Sequence, residues 1–500
     1  MPERLTAHAL IAAIADPGSW TSWDVPHPVD TEDPAYREAL TNARAATGID
    51  GSVLTGEARV HSQRIVLLVS EFGFLGGSLG VHEAERIVTA LDRATAEGLP
   101  VLACPASGGT RMQEGTPAFV RMADICAAVV RHRQAGLPYL VHLRHPTTGG
   151  AMASWGSLGQ VTTAEPEALL GFLGPRVYRV LTGEPFPPGV QTAENLFAHG
   201  LVDALIPAAG LREHTARILR LVDPPACPSR DAARLVPHEA PPVDPWEAVE
   251  RTRRARRPGL RQLLDEADDV LPLNGTGHGE RDHAMFLGVL RFGAASCVVV
   301  GHDREAEAAA GPPGPAGLRT ARRGMRLAEE LGLPLLTVVD TAGAALSTAA
   351  EEGGLAREIA ACLADLAALR TPTISLLLGR GTGGGALALL PADRVLAAQN
   401  AWLAPLPPEG ASAIVHGDAL HAAEMSRAQK VGAEHLLAAG TVDRIIPENA
   451  DASDDPDTFM ANLHEALETE LATAQARGHE PRGRTRVFRA DAAAHAAARG

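Results

Sequence analysis

The chain has 500 residues and a mass of 52.2 kDa, enough for roughly two to four domains with cores of their own. Its 45 Lys and Arg against 60 Asp and Glu leave a formal charge of −15, which argues against duplex nucleic acid as the main partner. Hydrophobic residues make up 45% and charged residues 21%, the balance of a folded protein and not of a disordered one.

The first twenty residues include Arg4, His8, Asp16 and two prolines, so they lack the continuous apolar core of a secretion signal. The longest apolar runs, 65–69 and 373–378, are of strand length and too short for a membrane span. Five scattered cysteines, Cys104, Cys126, Cys227, Cys297 and Cys362, have no zinc-knuckle spacing and fit a reducing compartment. A cytoplasmic protein is expected.

Residues 1–50 read as an N-terminal extension whose Trp20 and Trp23 pack on the first half. Ala84, Ile87, Val88 and Leu91 have helical spacing, which Gly98-Leu99-Pro100 stops. A buried strand, 101–104, then runs into Ser107-Gly108-Gly109-Thr110. A helix carrying Met122, Ile125 and Val129 follows, then a strand at 139–143 and a second loop, Thr148-Gly149-Gly150-Ala151. Seven prolines between 224 and 245 mark a linker, extended to 262 through Arg251, Arg253, Arg254, Arg256 and Arg257. Those arginines fit either a solvated helix face or a local anion site for a phosphate-bearing ligand.

Beyond the linker the order repeats. A helix with Leu318, Ala321, Met325 and Ala328 stops at Gly332; a strand at 335–339 runs into Thr341-Ala342-Gly343-Ala344. Next come a helix with Ile359, Cys362, Leu363 and Leu366, a strand at 373–378, and Thr382-Gly383-Gly384-Gly385. Pro100 and Pro334, Pro138 and Pro372, and Gly149-Gly150 and Gly383-Gly384 all stand 234 residues apart. Both halves close on matching segments ending in Asp203…Pro207 and Asp443…Pro447. Strand–loop–helix alternation of this kind means an α/β protein. The expected organisation is an extension (1–50), a first domain (51–223), a linker (224–262) and a second domain (263–477). A helix over 459–474 ends the second domain, and a disordered tail (478–500) follows.

The glycine loops carry the candidate chemistry. Glycine after a strand allows a tight turn that presents backbone N–H groups at a helix start, and two such groups can form an oxyanion hole. Taken singly, each loop could equally serve close packing; four at matched positions favour a site. A dinucleotide fingerprint is excluded because Gly379, Gly381, Gly383 and Gly384 lack its spacing, and no Walker lysine follows any loop. Ser154 and Ser157 lack a nucleophile elbow, and His142, His145, His199, His283, His302 and His416 form no H-x-x-x-H pair. Glu114 and Glu351-Glu352 read as helix caps or as partners of Arg111 and Arg357. The site therefore offers backbone donors and no evident side-chain acid or base.

Several motifs of the first half resemble the beta subunit of the carboxyltransferase of biotin-dependent acetyl-CoA carboxylase. They are Phe74-Leu75-Gly76-Gly77-Ser78-Leu79-Gly80, residues 107–115, Pro146-Thr147-Thr148-Gly149-Gly150, and Gly171-Phe172-Leu173-Gly174-Pro175-Arg176-Val177. The second half resembles the alpha subunit of the same enzyme. The likeness lies in Arg326-Leu327-Ala328-Glu329, Val339-Asp340-Thr341-Ala342-Gly343-Ala344, Ala350-Glu351-Glu352-Gly353, residues 383–388 and residues 408–414. The resemblance spans about residues 17–450 and implies a fused beta–alpha chain of two tandem crotonase-like (ClpP/crotonase) ββα-superhelix domains.

It further implies that the first half binds acyl-CoA, with donors at Gly109 and Gly150. The second half would receive carboxybiotin on a separate carrier protein, with donors at Gly343 or Ala344 and at Gly384. Gly108, Thr110, Arg111, Gly149, Arg176, Gly383 and Gly385 would line the two ligands. A biotin carboxyl carrier protein, a biotin carboxylase and a homodimer or higher homo-oligomer are the implied partners. An acyl-CoA decarboxylase and a non-catalytic assembly paralogue are the alternatives on the same scaffold. Three departures stand out. No cysteine precedes Cys104, so the zinc ribbon of many beta subunits is absent and no zinc is expected. Ala342 stands where the alpha-type loop usually has proline, and Ala345-Leu346 where it has a second proline-glycine pair. There is no biotinyl Met-Lys-Met sequence, and Lys430 is the single lysine.

Overall fold

A computed structural model describes residues 5–27, 31–222, 242–449 and 451–477. Two compact units emerge, Met1–Arg220 with Gly277–Gly279, and Leu221–Thr276 with Glu280–Gly500.

The first unit is built on a seven-stranded sheet. Thr21–Ser22 (β1), Val53–Val60 (β2) and Gln63–Ser70 (β3) pair antiparallel. Val101–Cys104 (β4), Tyr139–Leu143 (β5), Val161–Ala164 (β7) and Ala204–Leu205 (β9) continue from β3 in parallel. Thr147–Thr148 (β6) and Leu170–Gly171 (β8) form a separate parallel pair. Every residue of β4 and β5 is buried, as a parallel strand covered on both faces requires. The helix Val81–Ala96 starts where Gly80 N–H donates to Glu83 Oε2 at 3.0 Å, and it covers the sheet with Ala84, Ile87, Ala90 and Leu91. The helix Thr116–Gln134 adds Met122, Ile125 and Val129 to the same core. The N-terminal extension is an integral part of this unit. Its β1 borders β2, Trp23 packs on the core, and Ala7 N–H donates to Glu71 Oε2 at 2.7 Å.

The second unit repeats the plan. Asp269–Leu273 (β10), Met285–Phe292 (β11) and Ala295–His302 (β12) are antiparallel. Leu335–Thr341 (β13), Thr373–Thr382 (β14), Arg394–Ala398 (β15) and Arg444–Ile446 (β17) extend β12 in parallel, and Trp402–Ala404 (β16) pairs with the far end of β14. The helix Pro315–Leu331 ends on Gly332, whose φ of 65° is the left-handed conformation that glycine adopts without strain. Pro456–Arg477 forms the closing helix.

Two expectations are revised. The segment expected to be linker through residue 262 contains ordered helices of the second unit, Pro245–Thr252 and Leu260–Asp265. Val249 and Trp246 pack there on Trp402, because apolar positions one turn apart outweigh the neighbouring prolines. Nor do four of the five arginines form an open anion site; only Arg256, exposed, has no ion pair among the described residues. Arg251 meets Glu247, Arg253 meets Glu409 at 2.6 Å, Arg254 meets Asp451 at 2.6 Å, and the buried Arg257 meets the buried Glu448 at 2.6 Å. Residues 224–241 of the expected linker and the tail from 478 lie outside the described residues.

Candidate active site

The chain leaves β4 through Pro105-Ala106 and enters the first glycine loop at Ser107. That loop lies against the second one: Ser107 N–H donates to Pro146 O at 2.7 Å, and Thr148 N–H to Ser107 O at 2.9 Å. Their meeting point has no space for side chains. A Cβ on Gly109 (φ 115°) would lie 3.3 Å from Gly149 Cα and from Gly150 N, and one on Gly149 (φ 60°) 3.1 Å from Gly109 Cα. Glycine is required at both positions by space and by φ.

Which N–H groups remain available follows from the hydrogen bonds. Gly108 N–H donates to Gly76 O at 2.9 Å, and Gly149 N–H to Phe172 O at 2.8 Å. Gly109 N–H donates to Ser107 Oγ at 3.0 Å, and the same hydroxyl donates to Gly109 O at 3.3 Å. Among the described residues, the N–H groups of Thr110 and Gly150 have no acceptor. The N–H of Gly109, the expected donor, is thus taken by Ser107, and the open N–H beside it belongs to Thr110. A serine hydroxyl two residues back competes for the glycine N–H, a local contact that spacing alone does not reveal.

The second unit matches this donor for donor. Gly343 N–H donates to Thr341 Oγ1 at 3.1 Å, and Thr341 Oγ1 donates to Gly343 O at 2.8 Å. Ala342 N–H donates to Glu307 Oε1 and Ala345 N–H to Pro313 O, both at 3.0 Å. The N–H groups of Ala344 and Gly384 have no acceptor among the described residues. Ala344 and Gly384 stand 234 residues after Thr110 and Gly150, and Thr341 stands 234 after Ser107. Gly385 brings the two loops together, since a Cβ there would lie 3.2 Å from Ala344 N. Gly383 (φ 62°) turns the chain from β14 into the short helix Gly383–Leu387.

The loops differ in what supports them. Arg111, expected at the ligand, is only 2% exposed. Its Nη2 donates to Glu83 Oε1 at 2.8 Å and to Ser78 O at 2.6 Å, and its Nη1 donates to Tyr36 Oη at 3.3 Å. Burial works against this cation, but Glu83 and Tyr36 hold its pKa above the usual guanidinium value. Glu114 bonds Tyr36 and accepts from Val81 N–H at 2.6 Å. Arg111 therefore braces the loop from inside. The side chain of Arg176 lies outside the described ones; its backbone sits in the helix Pro175–Thr182.

In the second unit the support is Asp340, fully buried at a register shift between β13 and β14. Asp340 Oδ1 accepts from Arg380 N–H at 3.0 Å and Nε at 3.1 Å, and Oδ2 accepts from Arg304 Nη1 at 3.3 Å. Burial disfavours its charge, yet the two guanidinium groups hold it below the ordinary carboxylate range. Glu307, largely buried, is shifted upward by loss of solvation. Sequence reasoning missed these supports. Ser107 and Thr341 share the 234-residue offset and could have been found by it, whereas Glu307 has no periodic signal.

Among the described residues, no three His, Cys, Asp or Glu side chains are grouped to hold a metal, and no helix is long and apolar enough to cross a membrane.

Two α/β units each carry a pair of open backbone donors after strands that are neighbours in their sheet, an arrangement of the class that can stabilise charge building on oxygen. Residues 3–485 match the carboxyl transferase domain family; the chain belongs to it and is a carboxyltransferase. It is 55% identical over 471 residues to the "probable biotin-dependent acyl-coenzyme A carboxylase beta3 subunit" of Mycobacterium tuberculosis, covering 94% of each chain. It is 38% identical to the "acetyl-coenzyme A carboxylase carboxyl transferase subunits beta/alpha" of Salinispora tropica, covering 93% of this chain and 86% of that one. The transcarboxylase 12S structure shares the fold, with a TM-score of 0.75 at 20% identity over 96% of this chain and 91% of that chain. The chain therefore has the α/β carboxyltransferase fold of that structure, and its two units are consistent with the expected tandem arrangement.

Proposed function

We propose that the chain is the carboxyltransferase component of a biotin-dependent acyl-CoA carboxylase. It moves the carboxyl group from carboxybiotin, presented by a carrier protein, to the α carbon of acetyl-CoA or a related acyl-CoA. The observation that carries this reading is the duplicated donor pair: Thr110 with Gly150, and Ala344 with Gly384.

The reaction builds negative charge on two different oxygens. Thr110 and Gly150 hold the thioester oxygen, which gains charge as the α proton leaves. Ala344 and Gly384 hold the ureido oxygen of carboxybiotin, which gains charge as the C–N bond breaks and CO₂ departs. The ureido anion takes the α proton, and the enolate carbon attacks CO₂, so neither unit needs a side-chain base. Each donor is aimed by its loop before ligand arrives, which is what makes such hydrogen bonds effective in a site that excludes water.

The same reading includes a biotin carboxyl carrier protein and a biotin carboxylase as partners, and a homodimer or larger homo-oligomer. Beyond the second glycine loop and the strands that follow it, each unit has a helix with open apolar residues. Val180 is 83% exposed on Pro175–Thr182 and Ile414 73% exposed on Pro408–His416, surface of the kind that protein partners cover. The test is carrier-dependent carboxylation of acetyl-, propionyl- and longer acyl-CoAs with a biotinylated carrier and a biotin carboxylase. Transfer that needs both biotin and this chain is expected. Biotin-independent decarboxylation alone would favour a decarboxylase, and no turnover an assembly role. Light scattering beside the assay checks the oligomer: a fully active monomer would overturn it.

A further inference from the structure

The loop that carries the Ala344 donor is held through a backbone group that a proline would not possess. Ala342 occupies the position where the resemblance expects proline, and its N–H donates to Glu307 Oε1 at 3.0 Å. The second carboxylate oxygen of Glu307 accepts from Arg380 Nη2 at 3.3 Å, and Arg380 bonds Asp340 at the strand end beneath the loop. Glu307 and Arg304 lie on one short helix, Arg304–Ala310, so a single element grips both the loop backbone and Asp340. In the first unit the matching N–H, that of Gly108, donates instead to a main-chain oxygen, Gly76 O, at 2.9 Å, and Ala106 and Pro146 stand 234 residues before Asp340 and Arg380.

Building on the assignment of Ala344 and Gly384 to carboxybiotin, we propose that Glu307 is a positioning residue that holds the carboxybiotin-side loop by accepting the Ala342 N–H. Proline would fix φ covalently at this point; here the hydrogen bond from Ala342 to Glu307 fixes the same stretch of backbone. The reach of the carboxyl group matters more than its charge.

Two substitutions separate reach from charge. Glu307→Asp keeps the charge facing Arg380 but withdraws the carboxyl group by one methylene from Ala342. Glu307→Gln keeps an acceptor at full reach and removes the charge. Amide hydrogen exchange of residues 341–347 and turnover of malonyl-CoA with free biotin are measured on the full chain, with acetyl-CoA affinity by calorimetry. Glu307→Asp is expected to speed exchange about tenfold and lower biotin-dependent turnover about tenfold, with acetyl-CoA affinity unchanged. Glu307→Gln is expected to stay within about threefold of the parent in all three. The reverse order, with Gln impaired and Asp intact, would make Glu307 merely an ion-pair partner and overturn the proposal, as would two variants that both match the parent. If the parent itself shows no biotin-dependent turnover, the functional reading fails while the exchange order still decides the role of Glu307.

Discussion

The two donor loops share a gauge but not a scaffold. Ser107 and Thr341 each bracket a glycine with one hydroxyl, and each unit leaves the N–H of the following residue open. Around that common piece the first unit uses Arg111 packed between Glu83 and Tyr36, with a tyrosine drawn from the N-terminal extension. The second uses Asp340 under two arginines, with Glu307 bonded directly to the loop. The difference teaches that what the two units share is the backbone path and the hydroxyl brace. The ionic support is local and replaceable.

Removing the most buried cation of each unit should produce the largest effect. Arg111→Met strands Glu83, and Arg257→Met strands Glu448; both partners are buried. A buried charge left without its partner typically costs about 3–5 kcal/mol of stability. Denaturant titration should show such a loss in both variants, but acyl-CoA binding should fall only in Arg111→Met, which acts next to Thr110. Equal binding losses in the two would erase the distinction between supports.

Next come the glycines themselves. A Cβ on Gly150 would lie 2.8 Å from Thr110 Oγ1, and one on Gly384 2.7 Å from Ile359 Cδ1. Gly150→Val and Gly384→Val should each lower transfer roughly 100- to 1000-fold, the cost of an oxyanion donor, about 2.7–4 kcal/mol. Calorimetry should find acyl-CoA binding weakened only in Gly150→Val, and CO₂ release from carboxybiotin should be lost only in Gly384→Val. Folded mutants that lose both functions equally would return these glycines to a packing role.

Acid should weaken the first unit over a wider range than the second. Burial pushes His142 down to about 3, with Arg144 adding to it, and His302 down to about 4. An unfolded imidazole binds a proton near the ordinary value of 6.5, which the folded ring refuses. Stability therefore falls as pH drops below 6.5, by about 1.4 kcal/mol per pH unit per histidine, ending near pH 3 for His142 and pH 4 for His302. His142→Leu should flatten the melting profile from pH 6.5 to about 3 and His302→Leu from pH 6.5 to about 4; an unchanged slope would remove burial as the cause. The smallest effect belongs to metal: elemental analysis should find well below one zinc per chain, and chelation should leave melting and turnover unmoved.

Much of this architecture was legible because a 234-residue offset places the same strands and loops twice, and strands of four or five apolar residues between proline and glycine have one sensible reading. The open donors were legible to within one residue. Thr110 and Ala344 sit beside the glycines that draw the eye, and only the hydroxyl bonds of Ser107 and Thr341 decide between neighbours. Contacts that join distant segments left no trace: Tyr36 to Glu114, Glu307 to Ala342, Arg257 to Glu448. Each depends on a tertiary approach with no period, and Arg251, Arg253, Arg254 and Arg257 looked like open charge because their carboxylates lie 150 or more residues away or on the same helix turn.

Where Gly109 lies against Gly149, the slot of the first unit is closed by bare main chain. Its width is set by atomic radii and not by any side chain. Random change in the surrounding residues can alter supports and pocket walls without moving the two donors relative to each other. The second unit closes differently: a Cβ on Gly343 would lie 3.8 Å from Thr382 Cγ2, and the close approach moves to Gly385, beside Ala344 N at 3.2 Å. Each copy therefore keeps its own main-chain spacing. Selection would need to guard only a few glycines and one hydroxyl in each copy.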